Sequence, residues 1–566
     1  MATPESSDGK RIAIVGAGPT GLAAAILLRQ QGVVASVFER RSGCCELPAA
    51  HVVNTRTNEI LREMGVYDEM AKSAADPDKL RYITWSEAAG GTRLGKLPYQ
   101  GNSEQLQERL NSSPVRTLNI GQNKVETILT KRFSAIGGQI RYGSEIVDAR
   151  LEGAGAALII ESEGTRSLEH FDFVLACDGA VSSIRRSVGM EMEGPPSLAR
   201  FASAYFEADL DPYFRGDTGP VHFIVGSDFR CGMIGFDLER TWALMCAIPP
   251  GMGAENFTPE VMRALIRRAV GDPELEPKLI GVGSWNMSAQ VAESFRKGAF
   301  FLVGDSAHRF PPTGGLGLNT GIQDAHNIAW KLALVLEGRA HASLLDTYEA
   351  ERQPIARRNR DHSVNNSIKM AEVDEAIGSK APGPVDPEIV KQPMTSRAVA
   401  TTLDPARQER IQKAINNQRA HFDSIEMETG YRYGQRQDVR QVREWAQGSI
   451  IPHFWIEIER SRVSSLELPS CSTYTLFAFS DSTKWEKVIR ELAAGGAPIG
   501  IYIRKEGSDG AALRAKSWPN RGAALVRPDG HIDWISQDPF AVQEFLGVLS
   551  RHISVPAELG ISEATE

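Results

Sequence analysis

Along the first 190 residues, short unbroken apolar runs alternate with stretches of helical periodicity, the pattern of strands buried on both faces and of the helices that cover them. Ile12-Ala13-Ile14-Val15 is one such run, Leu22 to Ala25 opens an apolar helix, and Val33-Val34-Ala35-Ser36-Val37-Phe38 reads as a second strand. Helices are predicted around Thr57 to Met64 and from Lys124 to Phe133, followed by short strands that end at Asp178. From about 195 to 285 the period drops to two. Val221-His222-Phe223-Ile224-Val225, Gly232-Met233-Ile234-Gly235-Phe236 and Trp242-Ala243-Leu244-Met245-Cys246-Ala247-Ile248 predict an antiparallel sheet. Ala299-Phe300-Phe301-Leu302-Val303 returns to the buried-strand pattern. Behind it, Ile322, Ala325, Ile328, Ala329, Leu332, Ala333 and Leu336 recur at three- and four-residue spacing and predict a long helix. Helices continue to roughly 370, Ala381-Pro382-Gly383-Pro384 reads as a linker, and a last α/β unit carries strands at Thr473 to Phe479, Ile499 to Ile503 and Ala523 to Arg527. The pattern divides the chain into an α/β domain in two parts, 1–190 and 289–380, an inserted β-sheet domain, 191–288, a stretch of linker and helices, 381–437, and a C-terminal domain, 438–566. No internal repeat is visible.

Composition narrows this little but excludes some partners. With 566 residues, 42% hydrophobic and 24% charged, the chain has the make-up of a globular protein of two or three domains. Its 63 basic and 71 acidic residues give a net charge of −8, which argues against nucleic acid. Met1 to Lys10 is polar and no apolar segment reaches membrane-spanning length, so neither a signal peptide nor a membrane is expected and the cytoplasm is the predicted compartment. The six cysteines, Cys44, Cys45, Cys177, Cys231, Cys246 and Cys471, include no C-x-x-C and are expected to be reduced. There is no H-E-x-x-H, no zinc spacing and no G-x-S-x-G, so no metal site is predicted and a metal hydrolase or serine esterase has no support.

Two glycine-rich turns carry the chemistry. The first strand runs into Gly16-Ala17-Gly18-Pro19-Thr20-Gly21, a G-x-G-x-x-G in which Gly16 allows a tight turn, Gly18 lets backbone approach a pyrophosphate and Gly21 permits close helix–strand packing. The second strand ends in Glu39, a carboxylate placed to accept from a ribose hydroxyl. Almost 300 residues later, the strand at Ala299 runs into Gly304-Asp305, at the C-terminal end where open α/β sheets bind ligands. Pro311-Pro312-Thr313-Gly314-Gly315-Leu316-Gly317-Leu318-Asn319 then opens the long helix, whose first N–H groups favour negative charge.

Val174-Leu175-Ala176-Cys177-Asp178-Gly179-Ala180-Val181-Ser182-Ser183-Ile184-Arg185 resembles the Asp-Gly fingerprint of the class A flavin monooxygenases, the aromatic hydroxylases typified by para-hydroxybenzoate hydroxylase. With the two turns it makes three fingerprints in that family's order. Ala50-His51-Val52-Val53-Asn54-Thr55-Arg56-Thr57-Asn58-Glu59-Ile60-Leu61, Asn327-Ile328-Ala329-Trp330-Lys331-Leu332-Ala333 and Val526-Arg527-Pro528-Asp529-Gly530 are similar to the larger phenol and chlorophenol monooxygenases. The resemblance implies an α/β, Rossmann-like FAD-binding domain of the para-hydroxybenzoate hydroxylase type, an antiparallel-sheet substrate domain and a C-terminal thioredoxin-like domain. The last lacks its redox cysteine pair, so a structural or dimerisation role is expected for it, and a homodimer is one arrangement it allows. The implied cofactor is FAD, with NADPH or NADH and O2 as co-substrates and a small phenolic ring as the molecule hydroxylated, next to its existing hydroxyl, through a flavin C4a-hydroperoxide.

The resemblance also implies roles residue by residue. Gly16, Gly18, Pro19, Thr20 and Gly21 would face the pyrophosphate, with Glu39 and Arg40 at the adenosine. Gln122 and the Asp178, Gly179 and Arg185 segment would contact FAD or nicotinamide; Asp178 and Arg185 are alternatively partners of one another. Gly304 and Asp305 would hold the ribityl chain, with capping of its own loop as the other reading of Asp305. Pro311, Gly315 and Gly317 would line the flavin ring, and the amides of Leu318 and Asn319 would face its pyrimidine oxygen. His51 stands where phenol hydroxylases hold a phenol-contacting Asp. An imidazole with a pKa near 6.5 suits a base for a phenolic proton, and the alternative is a loop or flavin contact. Beside it, Pro48-Ala49-Ala50 replaces the family's Pro-Arg-Ala, removing an arginine. Phe223, Met233, Phe236 and Pro312 are the candidate substrate contacts, with core packing as the plainer role of the strand aromatics; His308 and Arg309 are expected to be structural. Baeyer–Villiger insertion or epoxidation of an aromatic polyketide on the same fold, and a non-oxygenating NAD-dependent dehydrogenase or flavin redox partner, are the rival readings.

Overall fold

The computed structural model describes residues 9–225, 229–378, 385–391, 405–434, 443–458, 461–469, 472–479, 482–503, 519, 521–539 and 541–554. The linker at 381–384 and Cys471 lie outside these residues. Strand Ile12–Val15 pairs in parallel with Ala35–Glu39 on one side and Phe173–Ala176 on the other. Ile140–Tyr142, Phe300–Leu302 and the antiparallel edge strand Arg296–Lys297 complete a six-stranded sheet. Helix Pro19–Gln30 lies against helices Gln122–Ala135 and Gly317–Leu336, and the central strands Ile12–Val15, Phe173–Ala176 and Phe300–Leu302 are apolar throughout. Between them, Ser144–Glu152, Gly155–Ser162 and Thr165–Phe171 form a separate three-stranded antiparallel sheet.

The inserted sheet is larger than its sequence pattern predicts. Across it run Lys278–Met287, Ala199–Glu207, Thr241–Ala247, Arg230–Gly235, Val221–Val225, Tyr82–Ser86 and Arg93–Pro98. The last two come from the earlier α/β segment, and Tyr82–Ser86 joins Val221–Val225 in parallel, so the sheet is mixed. One face, with Phe206, Met233, Trp242 and Leu244, is buried under helix Pro259–Val270. On the other face, helices Thr347–Ile377 and Pro405–Asn416 cover the end that holds Ile83, Trp85 and Leu97. The helix at 405–416, expected in a connecting stretch, is therefore part of the packed body.

The C-terminal unit orders its sheet Ile499–Ile503, Tyr474–Ala478, Ala523–Val526, Ile532–Ser536, with the first pair parallel and the others antiparallel. Its Tyr474, Trp485 and Phe545 pack against Trp330, Leu334 and Leu344 of the α/β body. Beside that apolar contact lies a seam of buried charge. Arg527 donates two hydrogen bonds to Glu351, 2.6 and 2.9 Å, and two to Asp529, 2.6 and 3.1 Å; Lys331 donates to Glu351 at 2.7 Å. Asn327 bridges Glu351 and Asp529, and Arg56 donates to the Asp529 carbonyl at 2.8 Å. The three sequence segments similar to the phenol monooxygenases thus meet at one place. Among the described residues no helix is long and apolar enough to cross a membrane, and no group of His, Cys, Asp and Glu is placed to hold a metal ion.

Candidate active site

The first turn is built by steric necessity. Gly16 has φ +99°, and a Cβ there would lie 2.3 Å from the Cys177 carbonyl; at Gly21 it would lie 1.9 Å from the Gly16 oxygen. Gly18 differs, since a Cβ on it would meet nothing within 4 Å: the helix N-terminus opens onto free space where a pyrophosphate fits. The Thr20 side chain points elsewhere, packed between Gly304 and Gly321. Glu39 accepts from the Ala17 amide at 2.8 Å and from Arg41 at 3.0 Å. Burial pushes its carboxyl up, but these bonds outweigh it and hold the pKa below the ordinary carboxylate value. Arg41, not Arg40, is the arginine at this acid; Arg40 is exposed.

Two further carboxylates border the same space. Asp178 accepts from the Ile184 amide at 3.2 Å, while its Oδ1 is buried without a protein partner and burial raises its pKa. Arg185 does not pair with it; its guanidinium donates to the Ser306 carbonyl at 2.7 Å instead. Asp305 sits on the strand-end turn, open to solvent yet surrounded by protein, which raises its pKa against the pull of His308 and Arg309. His308 is fully buried, 2.7 Å from Asp324, and stacks on Phe310. Gly179 and Gly317, like Gly18, have open space where a Cβ would stand. Orphaned carboxylate oxygen, helix N-termini and glycines facing a void fit an FAD lying from Gly18 to Gly317.

The Asn319 side chain stitches the far end together. It accepts from the Asn54 amide at 2.9 Å and donates to the Val52 and Gly315 carbonyls at 2.9 and 2.6 Å, tying the His51 segment to the helix start. Gln122, in the first turn of its helix, has its amide bonded to the Pro48 and Ala50 carbonyls and its side chain to Glu126 at 3.0 Å. Ala49, where the family's arginine would stand, is held at φ +24°. His51 Nδ1 lies 2.7 Å from Asn119 Oδ1, and its ring meets Phe236 edge-on at 5.8 Å. Burial lowers the His51 pKa, and the Asn119 contact opposes this.

Beyond Phe236 lies the face of the mixed sheet opposite helix 259–270, which is open at its glycines. Gly283, Ser203, Met245, Gly232 and Phe223 form one row across it, and a Cβ on Gly283 or Gly232 would meet nothing within 4 Å. Phe201 stacks on Trp285 at 4.7 Å, and Trp285 donates to Ser203 at 2.9 Å. Of the four substrate candidates, only Phe236 stands against His51. Met233 is on the opposite face, in the core under helix 259–270, because its strand position has the other parity. Phe223 stacks on Trp85 beside Phe422, and Pro312 is exposed in its turn while Pro311 is buried.

Residues 10–363 match the family described as FAD binding domain, and residues 445–556 match aromatic-ring hydroxylase, C-terminal. The chain belongs to the FAD-dependent aromatic-ring hydroxylases. Tetracenomycin B2 monooxygenase-dioxygenase of Streptomyces olivaceus is 31% identical over 95% of this hydroxylase and 98% of its own length. The 2,4-dichlorophenol 6-monooxygenase of Cupriavidus pinatubonensis is 28% identical over 92% of each chain. The flavin-dependent monooxygenase PieE, solved in complex with FAD and substrate, superimposes with a TM-score of 0.87 at 27% identity, covering 96% of this chain and 98% of that one. Four residues beside the candidate site were not among those the sequence suggested: Arg41 at Glu39, Asn119 at His51, Ser203 at Trp285, and Tyr205, whose ring lies 6.2 Å from that of Phe236. Asn119 and Arg41 have no local signature, because each acts through a partner brought from another segment. Ser203 and Tyr205 were open to discovery: they alternate with apolar Ala202, Ala204 and Phe206 on a strand whose other face is buried.

Proposed function

We propose that this hydroxylase uses NADPH or NADH and O2 to hydroxylate a phenolic ring seated between His51 and the open sheet face, next to the ring's existing hydroxyl. When bound and reduced, FAD activates the oxygen that is transferred. The observation that carries the reading is the position of His51. It is tied through Val52 and Asn54 to the Asn319 helix start on one side and touches Phe236, at the edge of the open sheet face, on the other. The ring nitrogen can take the phenolic proton, which makes the adjacent ring carbon more nucleophilic. Burial keeps that nitrogen neutral and able to accept at neutral pH. The Asp178 and Asp305 carboxylates, Glu39 and the Gly18 helix start would hold FAD without a covalent link.

The breadth of the sheet face supports a flat substrate of more than one ring. From Gly283 to Gly232 is three strand spacings, about 14 Å, with Ser203 and the flexible Met245 between and the Phe201–Trp285 pair beside them. The relatives named for tetracenomycin B2 and for 2,4-dichlorophenol are the comparison that suggests which substrates to try. We also read the C-terminal unit as thioredoxin-like, on its β-α-β-β-β-α order and single parallel pair. The test is a panel of one-, two- and four-ring phenols scored for product formed per NADPH or NADH consumed. Coupled turnover on fused-ring phenols supports the reading; NAD(P)H oxidation that no phenol stimulates overturns it.

A further inference from the structure

We infer that Asn119 is a positioning residue that fixes the tautomer of His51, placing the proton on Nδ1 and leaving Nε2 as the lone pair that meets substrate. The inference rests on His51 being the base, and it follows from hydrogen-bond accounting. Asn119 is fully buried and follows Leu118 on the short strand that pairs with Val52–Val53. Its Nδ2 donates to two carbonyls, Gly235 at 2.9 Å and Phe236 at 2.8 Å. Both amide protons are thereby used. Turning the amide over would set its oxygen against two carbonyl oxygens and leave both unsatisfied in the interior, which costs about 1–3 kcal/mol for each. The Oδ1 atom is therefore the one that faces His51 Nδ1 at 2.7 Å, and it can only accept. In the neutral ring the proton must sit on Nδ1, so Nε2 has none.

This arrangement differs from a carboxylate partner in one respect. A neutral amide orients the ring but adds no negative charge to stabilise the imidazolium. No charged side chain contributes to the shift at His51, which arises from burial and from the Asn119 contact alone. The ring is thus oriented as a base while remaining easy to deprotonate again after each turnover. The same amide fixes the 235–236 backbone, so the base and the Phe236 ring beside it are positioned by one side chain.

The experiment reads the tautomer directly. Magic-angle-spinning NMR of FAD-loaded protein labelled with 15N-histidine, with His51 assigned by difference from His51→Gln, reports which ring nitrogen carries hydrogen at pH 8. Nδ1–H with a bare Nε2 is the expected result. A proton on Nε2 in the parent overturns the inference whatever the variants do. Asn119→Leu should shift the ring toward Nε2–H and lower the hydroxylation rate about 10- to 100-fold through misplacement, with flavin content kept and NAD(P)H consumption diverted to hydrogen peroxide. Asn119→Asp, which keeps an acceptor toward Nδ1 but adds charge and loses both donations to the 235–236 carbonyls, should keep the Nδ1–H tautomer and move the acid limb of the remaining coupling to higher pH. An Asn119→Leu protein with the parent's tautomer and coupling also overturns it. If the tautomer is as expected but His51→Ala couples normally, the base assignment fails and the Asn119 geometry stands.

Discussion

The charged seam under the C-terminal unit and the cleft around His51 are both buried and both polar, yet they are finished to different degrees. In the seam, Lys331 and Arg527 face Glu351 and Asp529, two cations against two anions, with Asn327 bridging the anions. In the cleft, among the described residues, Asp178 Oδ1 has no protein partner, Asp305 forms no ion pair, and a Cβ on Gly18, Gly179 or Gly317 would meet nothing within 4 Å. Burying an unpaired charge is expensive, so a structural network closes on itself, whereas a binding site is left incomplete by the groups its ligand will supply. The seam too leaves a buried Asn327 Oδ1 without a partner, so it is the pairing of charges that separates the two roles where burial alone does not.

The largest effect should come from opening the seam. Arg527→Met leaves Glu351 and Asp529 without their shared cation and should destabilise the fold by about 3–5 kcal/mol, read as a fall in thermal midpoint. The seam is also acid-sensitive. Burial raises the Glu351 carboxyl, but Arg527 and Lys331 prevail and bring it to about 2 against an ordinary 4.5. A depressed carboxylate contributes stability that is present above its unfolded value and is lost as pH falls toward the folded one. The gap in thermal midpoint between parent and Glu351→Gln should therefore be widest above pH 5 and close between pH 4.5 and 2; an unchanged gap would show that Glu351 is not paired as described.

Next comes a contrast inside the cleft. Gly18→Val places its Cβ in open space, so the apoprotein should fold with its normal thermal midpoint while flavin content collapses. Gly21→Val drives a side chain into the Gly16 carbonyl and should lose flavin and fold together. Full yellow colour in purified Gly18→Val would break the assignment of that void to the cofactor. Smaller again, His51→Ala should keep FAD and its reduction by NAD(P)H but lower hydroxylation by about 10²–10⁴. Because the His51 pKa is lowered, coupling in the parent should hold as pH drops through 6.5 and decline only below it. The smallest contrast is on the sheet. Met233→Leu should cost less than about 1.5 kcal/mol and leave substrate affinity alone, whereas Phe236→Leu at the His51 edge should raise KM; equal effects on KM would mean that the two faces have been confused.

Much of the α/β body was legible because its signals are local. A strand, a G-x-G-x-x-G, a helix and a terminal Glu39 sit within 30 residues, and the parity of apolar positions gave three of the seven strands of the inserted sheet. The rest depended on partners that no local pattern names. Tyr82–Ser86 carries apolar Ile83 and Trp85 on one face but spends Thr84 on His222, 138 positions away, so its alternation does not announce which sheet it joins. Met233 and Phe236 look alike as strand residues, and only the placement of helix 259–270 decides which face is core. Arg40 and Arg41 are adjacent and chemically identical; the turn after Glu39 selects the second. Asn119 is invisible in sequence because its function lies in three hydrogen bonds to segments on both sides of it.

The order of strands in the six-stranded sheet has a consequence for how the protein is made. Ile12–Val15 emerges early, but its neighbour Phe173–Ala176 and the strand Phe300–Leu302 beyond it are synthesised far later. At 5–20 residues per second, roughly 15–60 s separate the first cradle strand from the last. Until Phe173–Ala176 follows, the N-terminal strand has an unpaired edge, and throughout the interval Gly18 has no Asp305 to share a ligand with. Flavin capture must then be a late event in biogenesis, following release of the long helix, so a shortage of FAD during expression would be felt as folded, colourless apoprotein.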